Sequence, residues 1–282
     1  MDTLQIGKIK LTWLRGGNIT LDGGTMFGVV PKSVWTRKYP CNESNLIPMV
    51  TDPILVQYAD KNFLIDSGLG AGKLSDKHKK IFGVTRESFL EEQLAGLGLH
   101  ADDIHGILMT HLHNDHAAGL TKLGNNGYEP VFSKAVHYIH ATEWEEVQNP
   151  NLRSRGTYLK ENWQPIADLV ETFTEANEVA PGIEIIHTGG HSAGYSMIKI
   201  ESEGQAAYHL GDLLPSHAHQ NPLWVMAYDD YPMNSISVKQ KWITNAASQG
   251  AWLTFYHDYF VRAIKWDEEG NVIDKVENEH AS

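Results

Sequence analysis

Short apolar runs rich in β-branched residues punctuate the chain at 54–58, 63–65, 104–109, 136–139, 183–186, 197–200, 206–210, 251–256 and 261–266. Each is bounded by turn-forming or polar residues, which predicts strands. Helical spacing of apolar positions predicts helices at 85–96, 158–173 and 235–248, the first carrying Phe89, Leu90 and Leu94 on one face. The strands come both as hairpins and as strand-then-helix units. Two mixed sheets flanked by helices, an α/β architecture, is the natural layout.

Segments 16–45 and 215–233 are irregular and rich in glycine, proline and aromatic residues, and 149–156 reads as a third loop. Long loops in a compact domain tend to carry function. None reads as a linker, and no repeat or low-complexity stretch is visible, so residues 1–282 are expected to form a single domain. The acidic tail DEEGNVIDKVENEH is expected to be a surface strand with a frayed end.

Composition narrows the field. The chain has 282 residues, 41% hydrophobic and 21% charged, enough apolar material for a packed core. Its formal charge of -12 argues against nucleic acid as a partner, because phosphate binding needs a basic face. The lone cysteine, Cys41, rules out an intrachain disulfide and a thiolate zinc cluster; it reads as a loop thiol. The start, MDTLQIGKIKLTWL, lacks the pattern of a secretory signal, and no apolar run approaches the roughly eighteen residues of a membrane span. A cytoplasmic protein with no membrane partner is the expectation. Exposed aromatics in 16–35 leave a homodimer open.

The chemistry concentrates in THLHNDHAAG, where His111, His113, Asp115 and His116 fall within six positions just after a predicted strand. An H-x-H-x-D-H run arises by chance in roughly one chain in several hundred. An extended chain aims His111 and His113 the same way, while Asp115 and His116 enter a turn. Imidazole and carboxylate suit zinc, and also manganese, iron or cobalt. Further candidates sit at other strand ends: His191 in TGGHSAGYS, Asp212 in HLGDLLP and His257 in FYHDY. The remaining histidines read as solvated (His78, His100, His105, His280) or structural (His137, His140, His187, His209).

THLHNDH, TGGHSAG, LGD and the late YHD, in that order, resemble the metallo-β-lactamase superfamily over about 54–259. The resemblance implies an αββα sandwich with two divalent metal ions, zinc first, between the sheet edges. It implies that His111, His113 and His191 hold one metal, that Asp115, His116 and His257 hold the other, and that Asp212 bridges both. Asp66, in FLIDSG, would accept a hydrogen bond from a ligand imidazole. The chain departs from the family pattern at Ala117–Ala118, at Gly189 and Gly190, and at Tyr195, none of them a metal ligand in this assignment. A cysteine-containing second site, as in class B β-lactamases, does not match Asp212.

Two metals about 3.5–4 Å apart generate a bridging hydroxide near neutral pH and polarise the electrophile. With Asp115 and Asp212 as the catalytic carboxylates, the implied reaction is hydrolysis of a carbonyl or phosphorus ester. The chain is similar to quorum-quenching lactonases of the YtnP type, which implies opening of N-acyl homoserine lactones or related signals. Met26, Phe27, Val29, Leu223, Trp224, Val225 and Met226 are expected to line an acyl trough. His217 and His219 are candidates for contacting the lactone. Pro215 stands where better-known acyl homoserine lactonases carry a tyrosine, leaving Tyr195 and Tyr228 as candidates for the leaving oxygen. A phosphotriesterase or arylesterase is the alternative, and a diiron or metal-storage protein on the same scaffold stays open.

Overall fold

The computed structural model describes residues 1–281. Strand alternation sets the layers. Ile54, Val56, Phe63, Ile65 and Leu108 join a core shared with Ile183, Ile185, Ile198, Ile200 and Ala263 of the opposite sheet. Their neighbours Leu55, Leu64 and Ile107 point the other way, onto Leu90, Leu94, Val147 and Ile166. A strand with a period of two and apolar residues on both faces must be covered on both sides. Two sheets back to back, each with helices outside, satisfy that requirement.

The first sheet runs in the order Thr3–Ile6, Ile9–Trp13, Ile54–Tyr58, Lys61–Ile65, Gly106–Leu108, Val136–His140, Val170–Phe173. Its first four strands pair antiparallel and its last three join in parallel. The second sheet takes the second half of the chain in sequence order, from Ala176–Ala180 to Val272–Glu277. Its single parallel junction is Gln205–His209 beside Trp252–Thr254. The helix Pro232–Gln249 covers its outer face, with proline in the first turn and Gly250 at φ 62° ending it. Near the site, Ser196 N–H donates to Thr110 O at 2.9 Å and joins the sheets.

The structure departs from the predicted elements where pairing overrides local pattern. Residues 85–96 split into the strand Val84–Arg86, paired with Asn18–Asp22, and the helix Leu90–Gly96. Residues 158–173 shorten to the helix Lys160–Trp163 and a 3₁₀ turn Gln164–Leu169, with Pro165 in its first turn. Val170–Phe173 then becomes an edge strand beside Val136–His140. The loop 16–45 contains the strand Asn18–Asp22 and the helices Gly23–Phe27 and Lys32–Trp35. Its aromatics are not exposed. Phe27 and Trp35 are buried and stacked with ring centroids 4.8 Å apart, which removes the premise for a dimer through them. Among the described residues, no helix is long and apolar enough to cross a membrane.

Candidate metal centre

The donors come from turns at one edge of both sheets. Lys61–Ile65 leads into Asp66, Gly106–Leu108 into Thr110 and His111, Gln205–His209 into Asp212, and Trp252–Thr254 into His257. The turn before Ser196–Ser202 carries His191. Donor atoms of His111, His113 and His191 lie within 4.8 Å of one another. So do those of Asp115, His116 and His257, and those of His111, His116 and Asp212. Asp212 faces both groups: Oδ2 lies 3.2 Å from His191 Nε2, and Oδ1 lies 3.1 Å from both His116 Nε2 and His257 Nε2.

Hydrogen bonds at the far side of each ring set which nitrogen is free. His116 Nδ1 donates to Asp66 Oδ2 at 2.9 Å, His257 Nδ1 to Val50 O at 2.8 Å, and His191 Nδ1 to Asp229 Oδ1 at 2.8 Å. A carboxylate or carbonyl oxygen can only accept, so each of these rings must carry its proton on Nδ1 when neutral. His111 follows through a relay. The Thr110 hydroxyl donates to Asp66 Oδ2 at 2.8 Å, so it accepts from His111 Nδ1 at 3.0 Å. Four Nε2 lone pairs therefore converge. His191 Nε2 lies 3.1 Å from His113 Nδ1, and His257 Nε2 3.2 Å from His116 Nε2.

Acceptor set against acceptor calls for a cation. His111 Nε2 and Asp212 Oδ1 are buried without a hydrogen-bond partner, a costly arrangement unless a metal ion satisfies them. Without metal the cluster polarises. Burial acts to lower the His116 pKa, but Asp212, Asp115 and Asp66 hold it well above its ordinary value. Burial acts to raise Asp212, but His116, His257 and His191 hold it well below. His111 is pushed well down by burial and by its neighbouring rings. The nitrogen and oxygen donor set fits divalent ions of the zinc, manganese, iron or cobalt kind.

Residues 46–251 match the Metallo-beta-lactamase superfamily. The chain belongs to the metallo-β-lactamase superfamily. It is 27% identical over 211 residues to the N-acyl homoserine lactonase AiiB of Agrobacterium fabrum, covering 71% of this chain and 74% of that one. A Staphylococcus aureus protein described as a "probable metal-dependent hydrolase" superposes with a TM-score of 0.94 at 44% identity, over 98% of this chain and 99% of its own. AidC, a dizinc quorum-quenching lactonase, shares the fold with a TM-score of 0.80 at 18% identity, over 99% and 97% of the two chains. The protein is a metal-dependent hydrolase whose cluster is suited to divalent ions.

In this superfamily member a cavity of about 540 Å³ opens over the cluster. His113, Asp115, His191, Asp212 and His257 form its floor, and Ile19, Leu21, Met26, Leu69, Ile81, Phe82 and Met226 are among its walls. Of the residues expected to touch substrate, Met26, Met226 and Tyr228 line it. The others do not. Phe27 is in the core, Val29 and Leu223 face solvent, Val225 is half-buried outside the cavity lining, and Trp224 lines a separate groove with Trp266. Tyr195 is buried: its hydroxyl accepts from Asp212 N–H at 2.6 Å and donates to Leu210 O at 3.0 Å, so it braces Asp212 from behind. His217 Nδ1 is spent on Asp258 Oδ2 at 2.5 Å. His219 stacks on Phe27 with centroids 4.4 Å apart and donates to Met26 O at 2.9 Å; burial pushes its pKa down to about 3.

Sequence reasoning missed several supports. Asp229 and Thr110 orient the His191 and His111 rings, and no spacing rule marks them. Tyr256 stacks on His116 with centroids 4.2 Å apart and donates its hydroxyl to Asp115 O at 2.8 Å. Arg153 lines the cavity and bonds Asp230 and Ala227 O, linking loops 149–156 and 215–233. His257→Ala is expected to retain one metal equivalent and lose most turnover, measured by elemental analysis beside a rate assay. Unchanged turnover would place the second metal position elsewhere.

Proposed function

We propose that the protein opens the lactone ring of N-acyl homoserine lactones or related signals, as a single-domain dinuclear hydrolase with zinc its first-choice metal. His111, His113 and His191 would hold one ion, Asp115, His116 and His257 the other, with Asp212 shared. When bound, two such ions bring a water to about pKa 7 and polarise a carbonyl. The observation that carries the reading is the cavity, which sets metal donors on its floor against a wall of aliphatic side chains. The wall suits an acyl chain and the floor suits a ring ester. The lactonase names of the relatives agree with it.

This chain's own groups then divide the work. Asp115 keeps 29% side-chain exposure against 7% for Asp212 and lines the cavity. It is placed to take a proton from the attacking water and return it to the ring oxygen as the ester bond breaks. Tyr228 lines the cavity too and is the remaining candidate tyrosine for the leaving oxygen; its hydroxyl donates to Thr25 Oγ1 at 3.0 Å and would turn from that partner to do so.

Ring opening yields a carboxylic acid, so each turnover releases one proton at neutral pH. Adding an N-acyl homoserine lactone to the metal-loaded protein is expected to give proton release that a chelator abolishes. No release with two metal equivalents present would discard this substrate. Aryl esters and phosphotriesters, the alternative class, are the next substrates in the same assay.

A further inference from the structure

Glu143 lies in the first turn of the helix Ala141–Gln148, outside the donor set, and is completely buried. A buried carboxylate is costly unless its oxygens are filled by donors. Three donors meet it. Leu112 N–H reaches Oε1 at 2.8 Å, the Tyr158 hydroxyl reaches Oε1 at 2.8 Å, and the Ser192 hydroxyl reaches Oε2 at 2.7 Å.

Each arm ends beside one member of the first histidine trio. Leu112 is the residue between His111 and His113. Ser192 follows His191 directly. The Tyr158 ring packs on His113 with centroids 5.2 Å apart. Glu143 thus joins the two loops that supply the trio, which come from different sheets. The loop carrying His191 is pressed onto this helix turn as well: a Cβ on Gly194 would stand 2.2 Å from Glu143 N, so only glycine permits the approach.

We propose that Glu143 is a positioning residue for the first metal position, acting through the Leu112 peptide, Ser192 and Tyr158 to hold His111, His113 and His191 at ligating separation. It touches neither ligand nitrogens nor the cavity, and its reach is confined to one of the two positions. The second trio, Asp115, His116 and His257, is held by other partners: Asp66, Val50 O and Tyr256. The inference rests on the metal-centre reading and is independent of which ester is the substrate.

The test is Co²⁺ titration of the metal-free full chain, followed by visible absorption and equilibrium dialysis, with kcat and KM measured beside it. Glu143→Ala is expected to weaken one of the two Co²⁺ equivalents by about 10–100-fold and to alter its absorption, leaving the other unchanged. The kcat is expected to fall with it while KM moves less than about threefold. Glu143→Gln is expected to recover most of this. Its carbonyl still accepts from Leu112 and Tyr158, and its amide can donate to Ser192 Oγ. If Glu143→Ala does not fold, Ser192→Ala decides the matter, with an expected loss of about tenfold at the same single equivalent. Folded Glu143→Ala, or Ser192→Ala in its place, binding both equivalents with wild-type affinity and spectrum overturns the proposal. Wild-type protein that binds no Co²⁺ overturns the metal-centre reading and this inference together.

Discussion

Asp212→Ala is expected to empty both metal positions, taking the metal content from two equivalents to fewer than one. Its two oxygens are divided between the trios, Oδ2 at 3.2 Å from His191 Nε2 and Oδ1 at 3.1 Å from His116 Nε2 and His257 Nε2. No other carboxylate among the described residues pairs with rings of both groups: Asp115 meets only His116 and His257, Asp66 only His116, and Asp229 only His191. Loss of both positions removes the means of making a nucleophile from water at neutral pH. The kcat/KM is expected to fall by about 10³-fold or more, roughly 4 kcal/mol of transition-state stabilisation. The backbone is not expected to move, because Tyr195 holds position 212 through its peptide N–H, which alanine keeps. Elemental analysis of the purified variant checks the claim, and two full equivalents would end the bridging assignment.

Asp66→Asn is expected to leave a folded protein that binds metal about 10–100-fold more weakly and turns over correspondingly slowly. Asp66 accepts three hydrogen bonds: Thr110 N–H at 2.8 Å, the Thr110 hydroxyl at 2.8 Å and His116 Nδ1 at 2.9 Å. An amide has one accepting atom, so the NH₂ group must face either the Thr110 N–H, which meets Oδ1, or both the Thr110 hydroxyl and His116 Nδ1, which share Oδ2. If the NH₂ faces His116, the ring is driven to carry its proton on Nε2, which points at Asp212 and the metal position. If it faces the Thr110 N–H, the strand end bearing His111 shifts. The backbone itself tolerates the change. Asp66 sits at φ 56°, and asparagine is among the residues that adopt this region most readily. A thermal midpoint within a few degrees of wild type combined with weakened metal is the expected pair of results. Wild-type metal affinity would show that His116 does not depend on this carboxylate.

The residues that the structure gathers into the cluster are legible in the sequence because histidine and aspartate at strand ends are rare in bulk and specific in order. His111, His113, Asp115 and His116 share one turn, and His191, Asp212 and His257 each follow a recognisable apolar run. Their supports were not legible. Val50 O, Asp229, Glu143 and Tyr256 come from distant segments, and a backbone carbonyl or a lone carboxylate leaves no local pattern. The cavity wall was read in part. Met26, Met226 and Tyr228 reach it, whereas Phe27, Trp224, His217 and His219 turn inward or away, because an aromatic loop reads the same whether its rings line a pocket or fill a core.

The sequence by itself determined the strands with apolar residues on both faces, hence the two covered sheets, and the identity and order of the histidines and aspartates that cluster at their edge. Those are local properties: period, composition and short spacing. Only the tertiary structure decided which nitrogen of each ring faces the centre, since that depends on an acceptor brought in from elsewhere in the chain. It also decided that Val84–Arg86 and Val170–Phe173 are strands, because a partner's free edge outweighs a weak helical pattern. The depth and lining of the cavity belong to the same class. They arise where segments 19–30, 69–82, 149–157 and 226–230 meet, and no one of them encodes the space between them.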